Sequence, residues 1–487
     1  MFLTQAEYNV AKQTSRFLYS KIVLLSKNFE QIGELTGNVI GNPSFSISSD
    51  SDIRRTCSIS LIPTDSSFDI DKGNKIWFDK YIQIYMGIRE THKDDIIWTN
   101  MGVYIINDPS RAYSADDNTL SFQASDLMAL LTTMRGGIYS GVDYIIPQGS
   151  NIRDVMIATL KEAGIKKYDI SMYNLTVPND IRVARGTTAY ELLNQLVELY
   201  PHTQIYFDVD GVFRYEYIPY DDSNQMSIVA NDDLWKDVLI DYSVSNDLQS
   251  VKNHIYVYGT THNVGSNYAD GEVIASWQLR YIKLNIAGIN EYTDGMLIGF
   301  TVNKTIPVGT AYEYNIKIVN DKVELDEKPV SGNVKYDGGK PYAIHYNKGE
   351  YYVAKYVADI DKTTGKDNGY FQYLGHLQAQ GEASETSSSS RFSINEIGDL
   401  AIVLEGGDYD NLYTDTNCDA YARYELYNRC KIYDGVQINC VPVYWLDVNE
   451  VIEITLPNKY GKEITARYLI NNISISDTQS ISLTRLY

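Results

Sequence analysis

Two stretches far apart in this chain follow the same order of strands and bends, and that repetition constrains the fold more than any single motif. Residues 82–126, IQIYMGIRETHKDDIIWTNMGVYIINDPSRAYSADDNTLSFQASD, open on an I-x-I strand and pass a polar loop. They reach a tyrosine-bearing strand (VYII), bend at N-D and close on LSFQAS. Residues 452–487, IEITLPNKYGKEITARYLINNISISDTQSISLTRLY, run through I-x-I, a polar loop, RYLI, an N-I-S bend and ISLTRL. Few residues are identical, but apolar and polar positions alternate alike, which gives each strand one core-facing side. The expectation is two copies of one β-barrel.

The rest of the chain supplies further strands and a few well-marked helices. Alternating segments at 18–25, 44–49, 57–62, 76–86, 96–106 and 119–125 are separated by Asp, Gly, Asn and Ser, the pattern of a barrel or sandwich. Thr4 and Glu7 have the spacing of a capping box and predict a helix over 4–17; Thr188 and Glu191 do the same for AYELLNQLVELY, which Pro201 ends. Ser150 or Asn151 caps NIRDVMIATLKEAG, with Gly164 as its stop. A last helix is expected at 417–430.

The stretch HTQIYFDVDGVFRYEYIP, 202–219, offers a choice between a calcium loop and a hairpin. An EF-hand loop starting at Asp208 needs an oxygen ligand at Val212 and glycine at Phe213, and it needs flanking helices. Asp210-Gly211 between two β-branched and aromatic runs is instead a hairpin tip, where glycine supplies a positive φ.

Composition narrows the function classes. Tyrosine is the outlier, 42 against 12 Phe and 5 Trp. It suits half-buried strands and subunit contacts; an AT-rich coding sequence would give the same excess. The net charge of −21 excludes holding nucleic acid by phosphate neutralisation. An acidic surface can line a passage that nucleic acid slides through, or simply keep the chain soluble. Cys57, Cys418, Cys430 and Cys440 form no CxxC pair and fit no zinc spacing, so free buried thiols are expected. The N-terminus is polar within four residues and no apolar run approaches ~20 residues, so neither a signal peptide nor a membrane segment is expected.

No catalytic, cofactor or metal site is assigned. The six histidines, His92, His202, His254, His262, His345 and His376, make no HExxH or other ligand spacing. No GxSxG or P-loop is present, and Arg135-Gly136-Gly137 lacks the strand-to-helix setting and the lysine of a phosphate cradle. Asp94-Asp95, Asp116-Asp117 and Asp232-Asp233 read as solvated loops.

In its motif order the chain resembles the baseplate hub proteins of tailed bacteriophages and related contractile injection systems. The resemblance is carried by WTNMGVYIINDPSR (98–111), TLSFQASDLMALL (119–131), RGTTAYELLNQLVELY (185–200) and FDVDGVFRYEYIP (207–219). It continues through DYSVSNDLQSVKNHIYVYG (241–259) and the ending VPVYWLDVNEVIEI, YLINNISIS, ISLTRLY. It spans nearly everything outside 264–400. It implies a homotrimer whose paired tube-like barrels make a ring of six, adapting a sixfold tail tube to a threefold tip. The implied partners are the tail tube or distal tail protein, the tape measure protein, passing DNA without specific binding, and a separate tip, spike or lysin protein, since the chain stops at Tyr487.

The expected fold class is therefore mainly β with α+β. The expected divisions are 1–135, an N-terminal helix and first tube-like barrel; 136–237, a small α+β domain; 238–262 plus 430–487, a second barrel; and 263–429, an inserted β-rich domain with a returning helix. The ETSSSSR run at 385–391 reads as a flexible exit from the insert, and helices 4–17 and 417–430 as subunit or tube contacts. The expected role is a non-enzymatic structural hub in the virion, at the distal end of the tail, assembled in the bacterial host cytoplasm. The alternative is a tail-tip adhesin that binds cell-wall carbohydrate through 264–400, where GGKPYAIHYNKGEYYVAKY carries tyrosines on successive strands. A secreted glycan hydrolase is disfavoured by the missing signal peptide and by the duplication.

Overall fold

In a computed structural model, the described residues are 4–91, 93–114, 118–171, 174–178, 181–219, 227–261, 296–301, 316–319, 322–325, 341–347, 350–357, 363, 370–376, 378–430, 433–457 and 462–486. Two compact units are present, Met1–Ser250 with Ile432–Tyr487, and Val251–Lys431.

The first unit opens on helix α1 (Gln5–Ala11), whose Thr4–Glu7 capping box is formed in both directions. It is shorter than the expected 4–17. Arg89 N donates to Phe17 O at 3.1 Å, so the residues past Gln13 are drawn toward strand pairing and leave the helix. Strands follow in chain order: β1 (Leu18–Ser26), β2 (Gln31–Glu34), β3 (Ser44–Ser48), β4 (Arg55–Leu61), β5 (Lys80–Arg89), β6 (Ile96–Tyr113) and β7 (Asn118–Asp126). The strand expected from residue 76 starts at Lys80. Next come β8 (Tyr144–Ile146), α2 (Ile152–Glu162), β9 (Tyr168–Ile170), β10 (Ile181–Val183), α3 (Ala189–Val197), β11 (Thr203–Phe207) and β12 (Phe213–Tyr217). These form the α+β layer, capped at Asn151 and at the Thr188–Glu191 box as the spacing predicts. The unit continues with β13 (Ile228–Ala230), α4 (Asp232–Val238) and β14 (Leu239–Asp247).

The second unit interrupts here. A six-stranded sheet is built from β16 (Met296–Thr301), β17 (Ile316–Val319), β18 (Lys322–Leu325), β19 (Pro341–Asn347), β20 (Glu350–Val357) and β21 (Tyr370–His376). β15 (His254–Thr261) lies between antiparallel β22 (Gln378–Ser384) and parallel β23 (Ala401–Glu405). Helix Asp415–Arg429 buries Cys418 and Ala422 against Ile255 and Val257. Strand 254–261, expected in the second barrel, thus belongs to the inserted unit, and the boundary falls at 250/251. Asn253 fixes it there: fully buried, its side chain donates to Phe392 O and Gly398 O and accepts from Leu400 N. The ETSSSSR run is a hydrogen-bonded turn rather than a loose exit, with Ser390 N donating to Ser387 O and Ile394 N to Glu385 O.

The chain then returns to the first unit with β24 (Tyr433–Cys440), β25 (Val451–Pro457), β26 (Glu463–Ile475) and β27 (Gln479–Arg485). The protein is mainly β with an α+β layer. The two strand-rich ends are halves of one 13-stranded sheet, ordered β14-β24-β27-β26-β3-β4-β7-β6-β5-β1-β2, with β25 and β13 off this path. No pairing among the described residues closes either half into a barrel, because β26 spends its C-terminal half on β3 of the other copy.

Candidate functional site

The duplication is a topological repeat of five strands. In the first copy the spatial order is β3-β4-β7-β6-β5, and in the second β14-β24-β27-β26-β25. Numbered along the chain both read 1-2-5-4-3, all antiparallel. The registers superimpose along the central ladder: Phe45–Cys57–Ala124–Ile106 has its counterpart in Val244–Val436–Leu483–Ile470. Both long strands carry a one-residue bulge near that isoleucine, between Ile470 and Asn472 and, one residue later in the first copy, between Asn107 and Ser110. A bulge there turns the strand end outward.

That outward end joins the copies. Asn472–Ile475 of β26 pairs antiparallel with Phe45–Ser48 of β3, and Ser49 N donates to Asn471 O at 2.9 Å. Phe45, Ile47, Ile473 and Ile475 are all buried at this junction. The matching surfaces at the other ends carry no strand among the described residues. β14, the counterpart of β3, pairs only with β24 and leaves Ile240 and Val244 exposed. The end of β6, the counterpart of 471–475, pairs only with β7 beyond Ile105 and ends on Tyr113, 80 % exposed. A bare apolar edge strand is a template for another chain. Pro109 removes one donor from the β6 edge, which limits indiscriminate pairing.

Beneath the junction lies an ionic cluster that sequence reasoning missed, because its members are spread over four elements. Arg55 is fully enclosed; its guanidinium binds Asp447 and the Phe207 carbonyl, and its amide donates to Asp126 Oδ2 at 2.9 Å. Arg54 binds Gln204 and stacks on Tyr206 at 3.7 Å. Asn449, held at φ 61°, donates to Gln204 at 2.6 Å, and Asp447 N donates to Glu450 Oε2 at 2.9 Å. Burial pushes the Asp126 carboxyl up. Burial, then the Asp447 charge, pushes Glu450 up to about 7. A polar cavity of about 620 Å³ opens beside these groups.

The Asp208–Gly211 segment is a hairpin tip, with Phe207 facing Phe213 across it. The Asp208 carboxylate is committed to the amides of Asp210 and Val212 and to Arg214, so it is not an open ligand. Among the described residues no group of three His, Cys, Asp or Glu could hold a metal. His92, His262 and Asp116-Asp117 lie outside the described residues, as does part of the tyrosine-rich stretch 338–356. His254 has both ring nitrogens engaged, by Asp399 at 3.1 Å and Glu382 at 2.7 Å. Cys57, Cys418 and Cys440 are buried and Cys430 half-buried, all free, and burial raises each thiol. Asp232 and Asp233 are not a solvated loop. They open α4, where Asp232 accepts from Thr455 N and Asp233 pairs with Lys12 of α1, both at 2.7 Å. Helix α1 is thereby tied to its own chain, with Val10 and Ala11 in the core.

A family model described as "Domain of unknown function (DUF5048)" matches residues 389–487. No curated protein matches the chain. Among solved structures the chain is similar to the 43 kDa tail protein of prophage MuSo2 from Shewanella oneidensis, at 10% identity and a TM-score of 0.46, covering 96% of this chain and 98% of that one. It is also similar to the tail protein from Neisseria meningitidis MC58, at 8% identity, TM-score 0.45, 96% of each chain. A third likeness is to a chain of the p2 virion baseplate in its activated conformation, at 10% identity, TM-score 0.28, 96% and 98%. All three are described as tail or baseplate proteins.

Proposed function

We propose that this chain is a non-enzymatic structural hub at the distal end of a phage tail, acting as a homotrimer. The carrying observation is the internal β26–β3 junction, whose counterpart surfaces, β14 and the end of β6, face solvent in one chain. Repeating the same junction between chains, β14 of one against the end of β6 of the next, makes a head-to-tail contact, the kind that closes into a ring when the rotation per copy divides the circle. Three chains then supply six five-stranded repeats. Such a ring meets a sixfold tail tube on one side and a threefold tip on the other. The net charge of −21 suits a passage that DNA traverses without being retained. Neighbours of the hub in this reading are the tail tube or distal tail protein, the tape measure protein and a separate tip, spike or lysin protein.

Light scattering on the purified chain tests this. The expected mass is three times the 55.2 kDa monomer, with six-lobed rings by electron microscopy. Val244→Lys, at the exposed edge, is expected to return the chain to a folded monomer. A chain that stays monomeric at high concentration, both alone and with tail-tube protein, overturns the reading.

A further inference from the structure

From the repeat register we infer that Leu248 of one copy plugs an apolar groove of the next, a knob-in-hole contact that the internal junction lacks. The inference rests on the ring reading above. Phe45 and Val244 are counterparts, so Leu248, four residues past Val244, is the counterpart of Ser49. Ser49 N donates to the carbonyl of Asn471, the bulged residue passed over between the Ile470–Leu483 and Asn472–Ser482 pairs; the bulge passed over in the first copy, between Asn107–Gln123 and Ser110–Ser121, is Asp108-Pro109. The register therefore sets Leu248 of the incoming copy at the Asp108-Pro109 bulge.

A groove of about 310 Å³ lies at that position, with Asp108 in its wall. Ile70, Trp77, Phe78, Pro109, Met134 and Arg135 line it. Ile70, Phe78 and Met134 are more than half exposed in the single chain, and so is Leu248, at 68 %. Large apolar side chains exposed on both sides of one expected contact mark an interface rather than a random surface. Arg135 adds a polar requirement. Its guanidinium stacks on Phe78 at 4.6 Å and one nitrogen donates to Ile106 O, while Nη1 is buried with no partner. A carbonyl of the incoming turn supplies the missing acceptor. Where the junction inside the chain has a serine, the junction between chains has a leucine and a hole, so the two strand pairings are not interchangeable.

The test is a cysteine pair in the full chain, Leu248→Cys with Met134→Cys, under mild oxidation, with Leu248→Ser studied alongside by light scattering. The expected results are disulfide-linked trimers on a denaturing gel and at least a tenfold weaker assembly for Leu248→Ser. Because Leu248 is exposed, the monomer's thermal unfolding should not move. Trimers that form normally but neither cross-link nor weaken overturn the groove contact and leave the ring intact. Absence of trimers in the unmodified chain overturns the ring, and this contact with it.

Discussion

Phe45 and Val244 hold the same position in the two five-stranded repeats, yet Phe45 is 2 % exposed and Val244 49 %. The difference is what covers them: Phe45 pairs with Ile475 of β26, while Val244 has no strand on its outer side among the described residues. Phe45→Ala should therefore cost about 3–5 kcal/mol in denaturant unfolding of the monomer, the usual range for a buried aromatic. Val244→Ala should stay within about 0.5 kcal/mol in the same assay and weaken only self-association. Equal losses at the two sites would show that the edge of β14 is already covered within one chain.

The Arg55–Asp447 pair ties the first repeat to the loop preceding β25 of the second. Asp447 is the nearest counter-charge to a guanidinium with 2 % side-chain exposure. Removing one partner leaves the other buried and uncompensated, which costs about 3–5 kcal/mol. Asp447→Ala should lose that much in urea unfolding, and Arg55→Met with Asp447→Leu should recover most of it. If the single variant unfolds like the parent, water reaches the cluster and the pair does not hold the copies together.

Glu450 gives the cluster a pH dependence of definite sign. Its pKa in the folded chain is raised to about 7, from an ordinary value of 4.5, by burial first and by Asp447 second. The folded state therefore binds the proton more tightly than the unfolded state. This contribution is fully present below about pH 4.5 and is lost as pH rises through about 7. Its full size is on the order of 3 kcal/mol. Glu450→Gln cannot ionise and should flatten this slope, so the difference between the two unfolding curves should grow from pH 5 to pH 8 in favour of the variant. A difference independent of pH would mean that Glu450 is ionised throughout.

The local signals were the legible ones. Both capping boxes, the Asn151 cap and the Asp210-Gly211 hairpin depend on side chains within a few residues of each other, and each formed as its spacing dictates. The order of strands within each repeat was legible for the same reason, since β5-β6-β7 and β25-β26-β27 are consecutive along the chain. What alternation cannot encode is which edge meets which. The β26–β3 pairing joins residues more than 400 apart, and it turned two expected barrels into one sheet. The Arg54, Arg55, Asp126, Asp447 and Glu450 cluster was invisible on the same ground: its charges come together only once that junction exists. Strand 254–261 was misassigned because its flanking motif runs on from β14 without a break in pattern, and the features that claim it for the second unit, Asn253 and two glycines, act at long range.

Those glycines make a sharp prediction about the inserted unit. A Cβ on Gly381 would lie 2.3 Å from the backbone of Cys418 and Asp419, and one on Gly259 would lie 2.2 Å from Leu412 O. Neither obstacle is a side-chain end that can swing aside; with a Cβ on Gly381 the helix Asp415–Arg429 must move off the sheet and uncover Ile255, Val257 and Ala422. Gly381→Ala should destabilise the second unit by about 3 kcal/mol, at the upper end of ordinary overpacking. Hydrogen exchange should show lost protection in 254–261 and 378–384 while strands β4 to β7 keep theirs. Gly186→Ala is the control: it has a φ of 95° but nothing within 4 Å, so only backbone strain of about 1 kcal/mol is expected. If the two variants behave alike, helix and sheet are not as closely apposed as these distances require, and the claim of Gly381 on strand 254–261 fails.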